Sequence, residues 1–263
     1  MVITLFLLSA RRPAVQTFED CVCIAQARVI AGYKKEPHIC TIAYQPTTDQ
    51  FLRICIPFVQ GRSPAIKRWR TFSFQGSKED LANDNREESW NLMRLLTTSQ
   101  QTISEKEKRE IHCRILSNYR YECELNDQRD SIGLLIPIAD SLKFTREHLS
   151  LRRPDEAKEL DRAQMLQQKG IWYPSFKVRV RGSYMRDGQR CNFNKQLIAW
   201  DVYEALRLGG SRDPFAAIDT YRNPYLIIGN LAAQRKAWVV VGVLSAPDGA
   251  IERHAIHQQL ALV

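Results

Sequence analysis

The rhythm of apolar and polar positions changes along this chain. In the first third, apolar residues come in short runs and alternations that predict strands. Residues 20–30 carry Val22, Ile24, Ala25, Val29 and Ile30. Residues 38–44 and 51–58 are two more strands, joined by the hairpin loop Gln45-Pro46-Thr47-Thr48-Asp49. Residues 69–74 fit a half-buried strand, and residues 2–8 a buried first strand. That first apolar run is short and no basic residue precedes it, unlike a secretion signal. Short strands at this spacing predict a small barrel or a strongly curved sheet.

The middle turns helical and charged. Residues 77–96 start Ser77-Lys78-Glu79-Asp80 and carry Trp90, Leu92, Met93, Leu95 and Leu96, which predicts a helix. Ser104 with Glu107 forms a capping-box pattern opening a helix over 105–116. Residues 119–125 and 131–138 predict strands, with Pro137 ending the second. The charged stretch 151–170 reads as a solvated helix between two packed units. Residues 176–185 then alternate Phe/Val/Val with Lys/Arg/Arg. A helix over 196–208 ends at Gly209-Gly210, and the almost wholly apolar runs 225–228 and 238–244 predict central strands. No internal repeat of fixed period is visible. The expected fold is α+β, with two small β-rich, OB-like or barrel-like domains and a helical, charged middle segment. Residues 1–150 form the first domain with its helical insertion, 151–172 a helical linker, and 173–263 an α+β domain.

Composition narrows the class. With 44% apolar and 25% charged residues over 263 positions, a packed core is expected rather than disorder. Lys plus Arg is 38 and Asp plus Glu is 29, so the net charge of +9 points to an anionic partner. The 7 cysteines form no CxxC and several sit inside apolar runs. That pattern suits buried free thiols in the reducing cytoplasm better than a disulfide framework. No stretch approaches the ~20 apolar residues that span a bilayer, so no membrane role is expected.

The cations cluster in two places. Arg62, Lys67, Arg68 and Arg70 stand together without an acid, and Trp69 lies among them. Lysines and arginines at this density suit phosphates, and Trp69 is either a stacking platform or a core residue. Lys177, Arg179 and Arg181 alternate, which puts all three on one face of a strand about 6.6 Å apart. Arg186 and Arg190 follow, and Tyr184 is a second stacking candidate. Such a row can track a phosphate backbone, or it is the ordinary wet face of a sheet.

Chemistry beyond binding finds little support. His112 and Cys113 are adjacent, Cys21-x-Cys23 lacks a His pair, and His254-x-x-His257 lacks a nearby third ligand, so neither metal nor cofactor is expected. The chain has no GxSxG, P-loop, GxGxxG or HExxH. Asp84, Glu87 and Glu88 could serve a Mg²⁺-dependent nuclease, but no acid-x-Lys partner follows. Asp201 and Glu204, one helical turn apart, suit a cap or salt bridges.

Three stretches resemble an uncharacterised group of bacterial proteins: Phe51-Leu-Arg53-Ile-Cys-Ile-Pro57-Phe58, Lys67-Arg68-Trp69-Arg70, and Asp84-x-Arg86-x-Glu88-Ser89-Trp90. The corresponding motifs of that group are W-I-R-L-Y-P-x-P-F, F-K-K-Y-x-W-I and D-x-R-P-E-S. The stretches 183–200 and 226–247 are similar to the group's second half. Here Glu87 replaces the motif's Pro, Val202 follows Asp201 where the group has Glu, and Cys191 alone remains of a Cys/His cluster. The group is similar to dual OB-fold-like proteins found near mobile-element and defence genes. The resemblance implies functional roles for Arg53, Arg68 and Arg86. The expected function is non-catalytic nucleic-acid binding within a larger bacterial complex that includes protein partners. The alternatives are a metal-dependent nuclease and a scaffold for an acidic protein.

Overall fold

The computed structural model describes residues 15–32, 35–58, 66–78, 86, 88–128, 130–138, 140–209, 214–219, 221–231 and 234–251. The expected strand over 2–8 lies outside them. The fold is mixed α+β on two sheets. Strands β1 (Val15–Gly32), β2 (Lys35–Gln45), β3 (Gln50–Pro57), β4 (Thr71–Lys78) and β5 (Ser89–Thr98) close into a barrel in the order β1-β2-β3-β5-β4. Every pairing is antiparallel except β3 with β5. Bulges let β1 bend, so its first half pairs with β4 and its second half with β2. Alternation sends Phe18, Leu52, Ile54, Phe72, Phe74 and Trp90 inward. Phe18 stacks on Phe74 at 4.8 Å and meets Trp90 edge-on at 4.7 Å.

The helix expected over 77–96 is not formed: Ser77 ends in β4 and residues 89–98 are β5. Trp90, Leu92 and Leu95 reach the barrel core, and pairing with β3 and β4 satisfies the backbone there. Closure of the barrel overrides local helix preference. The capping-box helix is present as α1 (Glu105–Ser117). Ser104 Oγ accepts from the Glu107 amide at 3.2 Å, and the Glu107 carboxylate accepts from the Ser104 amide at 2.8 Å. Residues 119–125, expected as a strand, instead enter helix α2 (Glu122–Gln128). Its one buried anchor, Leu125, packs so closely on Gly133 that a Cβ there would lie 2.1 Å from Leu125 Cδ1.

The second sheet holds β6 (Ile132–Leu135), β7 (Lys143–His148), β8 (Phe176–Arg186), β9 (Gln189–Leu197), β10 (Pro224–Leu231) and β11 (Gln234–Ser245). Its order is β6-β10-β11-β9-β8-β7. Asp187 and Gly188 both have positive φ, 49° and 74°, and turn β8 into β9. The run β7-β8-β9-β11-β10 repeats the barrel's strand order, and β9 with β11 is again the single parallel pair. This second copy of the plan stays open because β10 pairs with β6 instead of β7.

Because β6 and β7 precede residue 150 yet pair in the second sheet, the chain has changed sheets before the expected boundary. The charged helix, α3 (Pro154–Gln168), is no free connector. Its Ala163 and Leu166 pack with Val29 and Ile39 of the barrel and with Tyr173. Arg28 of β1 pairs with Glu159 and lies 4.3 Å from the Tyr173 ring. The expected helix over 196–208 begins only at Trp200, as α4 (Trp200–Leu208), since Leu197 completes β9. Gly209 caps α4 in the left-handed region at φ 60°. Helix α5 (Pro214–Asp219) follows.

The apolar strands β10 and β11 are central, as their composition predicts. Tyr225, Ile227 and Val241 face the barrel's Val22, Ile24, Ile42 and Tyr44. Leu226, Ile228 and Val240 face a second core with Val178, Val180, Phe193 and Tyr203. Each such large side chain contributes about 1.5–3 kcal/mol on burial. The contact between the sheets is so close that a Cβ on Gly242 would sit 2.7 Å from Ala25 Cβ.

Candidate nucleic-acid interface

The outer face of β7, β8 and β9 follows from strand parity. With Val178 and Val180 fully buried, Arg179 and Arg181 must point the other way. Register sets Lys143 beside Arg181 and Arg181 beside Asn194, one polar rung across three strands. The next rung is Thr145, Arg179 and Gln196. Lys143, Thr145, Arg181, Arg190, Asn192 and Asn194 are exposed. Lys143 and Arg190 form no ion pair among the described residues.

The face carries one carboxylate of its own strands, Glu147. Its Oε1 lies 3.4 Å from Arg181 Nη2, and its Oε2 lies 3.4 Å from Arg179 Nε. The second contact lacks hydrogen-bond geometry, so Arg179 Nε has no hydrogen-bond partner among the described residues. Lys177, the third cation of the expected row, is taken out of it. It reaches Glu156 at 3.8 Å and Glu159 at 3.5 Å on α3, and its side chain is mostly covered.

Tyr184 belongs to the opposite face. It lies 6.4 Å from Phe193 and 6.5 Å from Tyr121, and burial raises its hydroxyl pKa. Arg186 is on that side too, 5.7 Å from the Tyr121 ring centre and 3.4 Å from Asp187. The period of two that aligned the three cations thus separates Tyr184 from them.

The barrel's candidates scatter. Arg53 is 5% exposed: Nη1 donates to the Asn230 carbonyl at 3.2 Å and Nη2 to the Ser131 carbonyl. It is a buried tie between the two sheets, which overturns its assignment to a ligand surface. Gly229 leaves the room it occupies, since a Cβ there would come within 2.8 Å of Arg53 Nη2. Arg68 pairs with Asp201 of α4 at 2.7 Å, so the basic loop meets α4 and not β8. Lys67 is exposed beside it. A cavity of about 220 Å³ lies between them, lined by Gln26, Ile66, Trp200 and Gly242 among others. Trp69 has φ 60°, packs against the core between the sheets, and lies 4.8 Å from the His112 ring. Arg70 reaches Gln100 at 3.4 Å. Arg86 is half-buried and engaged by a neighbour.

Of the acids of the nuclease alternative, only Glu88 falls among the described residues. Asp84 and Glu87 lie outside the described residues, as do Arg62, His254 and His257. Glu88 Oε1 accepts from the Ser131 amide at 2.9 Å and from its hydroxyl. Among the described residues no three His, Cys, Asp or Glu are placed to hold a metal ion. All seven cysteines are free. Burial pushes the Cys21 and Cys23 thiols up to about 12, far from nucleophilic thiolates. His112, buried with Nδ1 2.7 Å from Tyr225 Oη, is a core histidine.

No family model and no curated protein matches the chain. Among solved structures it is similar to a chain of a replication protein A heterotrimer bound to single-stranded DNA, with 11% identity and a TM-score of 0.37. The match covers 98% of this chain and 54% of that one, so the chain spans about half that length. No helix among the described residues is long and apolar enough to cross a membrane.

Sequence reasoning missed Lys143, Glu147, Asn192, Asn194 and Gln196 because it did not recognise β7 and β9. The Asp187-Gly188 pair between two alternating segments was the signal that could have revealed β9. Nothing as clear announced β7.

Proposed function

We propose that this chain binds a nucleic-acid backbone, without catalysis, through the open face of β7, β8 and β9. The observation that carries the proposal is the pair of polar rungs with Lys143, Arg179 and Arg181, flanked by Arg190 and opposed, among the described residues, by Glu147 alone. Phosphate binding needs clustered cations and amide donors on a surface a polymer can reach. Both units share an OB-like strand order, and OB-folds bind oligonucleotides on the face of their second and third strands. In the barrel those strands are β2 and β3, and their outer face is buried under the second sheet by Cys40, Ile42, Tyr44 and Arg53. In the second unit they are β8 and β9, whose outer face is open. Membership of a cytoplasmic bacterial defence or mobile-element complex, with protein partners, extends this proposal on the family resemblance.

Fluorescence anisotropy tests it, with a labelled single strand and a duplex of about 20 nucleotides, longer than the 4–16 an OB-fold covers. Affinity should fall steeply with salt, with a log–log slope of roughly −3 for about four phosphates. Lys143→Ala and Arg181→Ala should each weaken binding and reduce that slope by about one. A flat salt response, or binding unchanged in both variants, would refute the proposal. An acidic protein captured equally well after nuclease treatment would turn the face over to the scaffold reading.

A further inference from the structure

Glu147 makes a choice that its strand register does not require. It stands directly opposite Lys177, yet Lys177 turns to Glu156 and Glu159 of α3. The Glu147 carboxylate instead spans two rungs, one oxygen toward Arg179 Nε and the other toward Arg181 Nη2, both at 3.4 Å. These are long contacts. Among the described residues the Arg179 Nε–H has no hydrogen-bond partner, while Arg181 Nη2 donates a long hydrogen bond to Glu147 Oε1, so the carboxylate holds the two guanidiniums together but satisfies only one of them. The Glu147 side chain is 37% exposed and that of Arg181 53%. A surface pair of this kind is worth only about 0–1 kcal/mol.

We infer that Glu147 occupies the seat of a backbone phosphate and is displaced when the polymer binds. This rests on the function proposed above. A phosphodiester offers what the carboxylate offers: one negative charge and two terminal oxygens to share between two guanidiniums. It adds what the carboxylate lacks, a continuation along the face toward Lys143 on one side and Arg190 on the other. Glu147 thus acts as a resident competitor. It lowers the affinity for isolated phosphates and leaves polymers, which make several contacts at once, able to displace it. It also keeps Arg179 and Arg181 from repelling one another in the empty protein.

The test compares Glu147→Gln with Glu204→Gln on the full chain. Both remove one negative charge, but Glu204 lies on α4 and pairs with Arg207. The probe is the labelled single strand of about 20 nucleotides. Glu147→Gln should tighten binding roughly two- to five-fold, the equivalent of a surface ion pair, and Glu204→Gln should leave it nearly unchanged. Glu147→Ala should repeat the gain if a glutamine amide still bridges the arginines. Equal effects from the two positions, or no gain from either Glu147 variant while Arg181→Ala still weakens binding, would overturn the seat assignment and leave the binding face standing. Failure of Arg181→Ala and Lys143→Ala to weaken binding would overturn both.

Discussion

Arg53 of β3 donates to the carbonyl of Ser131, the residue that precedes β6, and so fastens the barrel to the second sheet. Ser131 is held from its other side by Glu88, and the Asn230 amide donates to the same carbonyl at 3.0 Å. Arg53, Ser131 and Asn230 are all buried, so removing one partner leaves buried polar atoms unmatched.

Arg53→Met should therefore lower the unfolding free energy by about 2–4 kcal/mol. Oligonucleotide affinity of the folded variant should stay within roughly two-fold, because Arg53 is remote from solvent. Urea titration measures the first and anisotropy the second. A stable Arg53→Met protein that no longer binds would return Arg53 to the ligand surface.

Gly242 and Gly188 separate steric from conformational cost. Alanine at 242 would meet Ala25 Cβ at 2.7 Å, where β1 and β11 cross, and should cost about 1–3 kcal/mol. Alanine at 188 has open space around it but a φ of 74°, so only the backbone term of about 1 kcal/mol applies. Denaturation midpoints that rank the two the other way would argue against so tight a crossing.

His112 should make the fold sensitive to acid. Burial pushes its imidazole pKa down to about 4, below the ~6.5 of an unfolded chain. Between these values the unfolded chain holds more protons, so stability rises with pH across that window and this group adds nothing further above it. Acidification from neutral pH to 4 should cost about 2–3 kcal/mol through His112. His112→Gln, which keeps an acceptor near Tyr225, should flatten the difference. Parallel slopes of stability against pH for the two proteins would disprove the assignment.

The Arg28–Glu159 pair should stabilise the α3 attachment only as a pair. Burial alone would raise the Glu159 carboxyl, but Arg28, then Lys177 and Tyr173, hold it below its ordinary range. Glu159→Gln leaves Arg28 buried without its counter-charge and should cost about 2–4 kcal/mol. Arg28→Met combined with Glu159→Leu should recover part of the loss. A double variant as unstable as the sum of its parts would show that the two act independently.

Local signals carried far in some segments. The Ser104–Glu107 box, the Gly209 cap and the apolar runs of β10 and β11 are each settled by neighbours in sequence, and each is found where the residues predict. Failures occur where tertiary pairing competes with local preference. Residues 89–98 suit a helix by composition, but the gap between β3 and β4 makes them a strand. Residues 119–125 look like a strand, but Leu125 is the buried residue of α2, and a short helix over Gly133 provides that burial.

Taken alone, the sequence determined that this chain is β-rich and basic, and that Lys177, Arg179 and Arg181 share one face of a strand, because strand periodicity acts over neighbouring residues. The tertiary structure decided which cations remain available. It buried Arg53 between the sheets, drew Lys177 to α3, paired Arg68 with Asp201 and brought Lys143 beside Arg181. Those outcomes depend on contacts between residues as many as 177 positions apart, and local charge and periodicity carry no information about them.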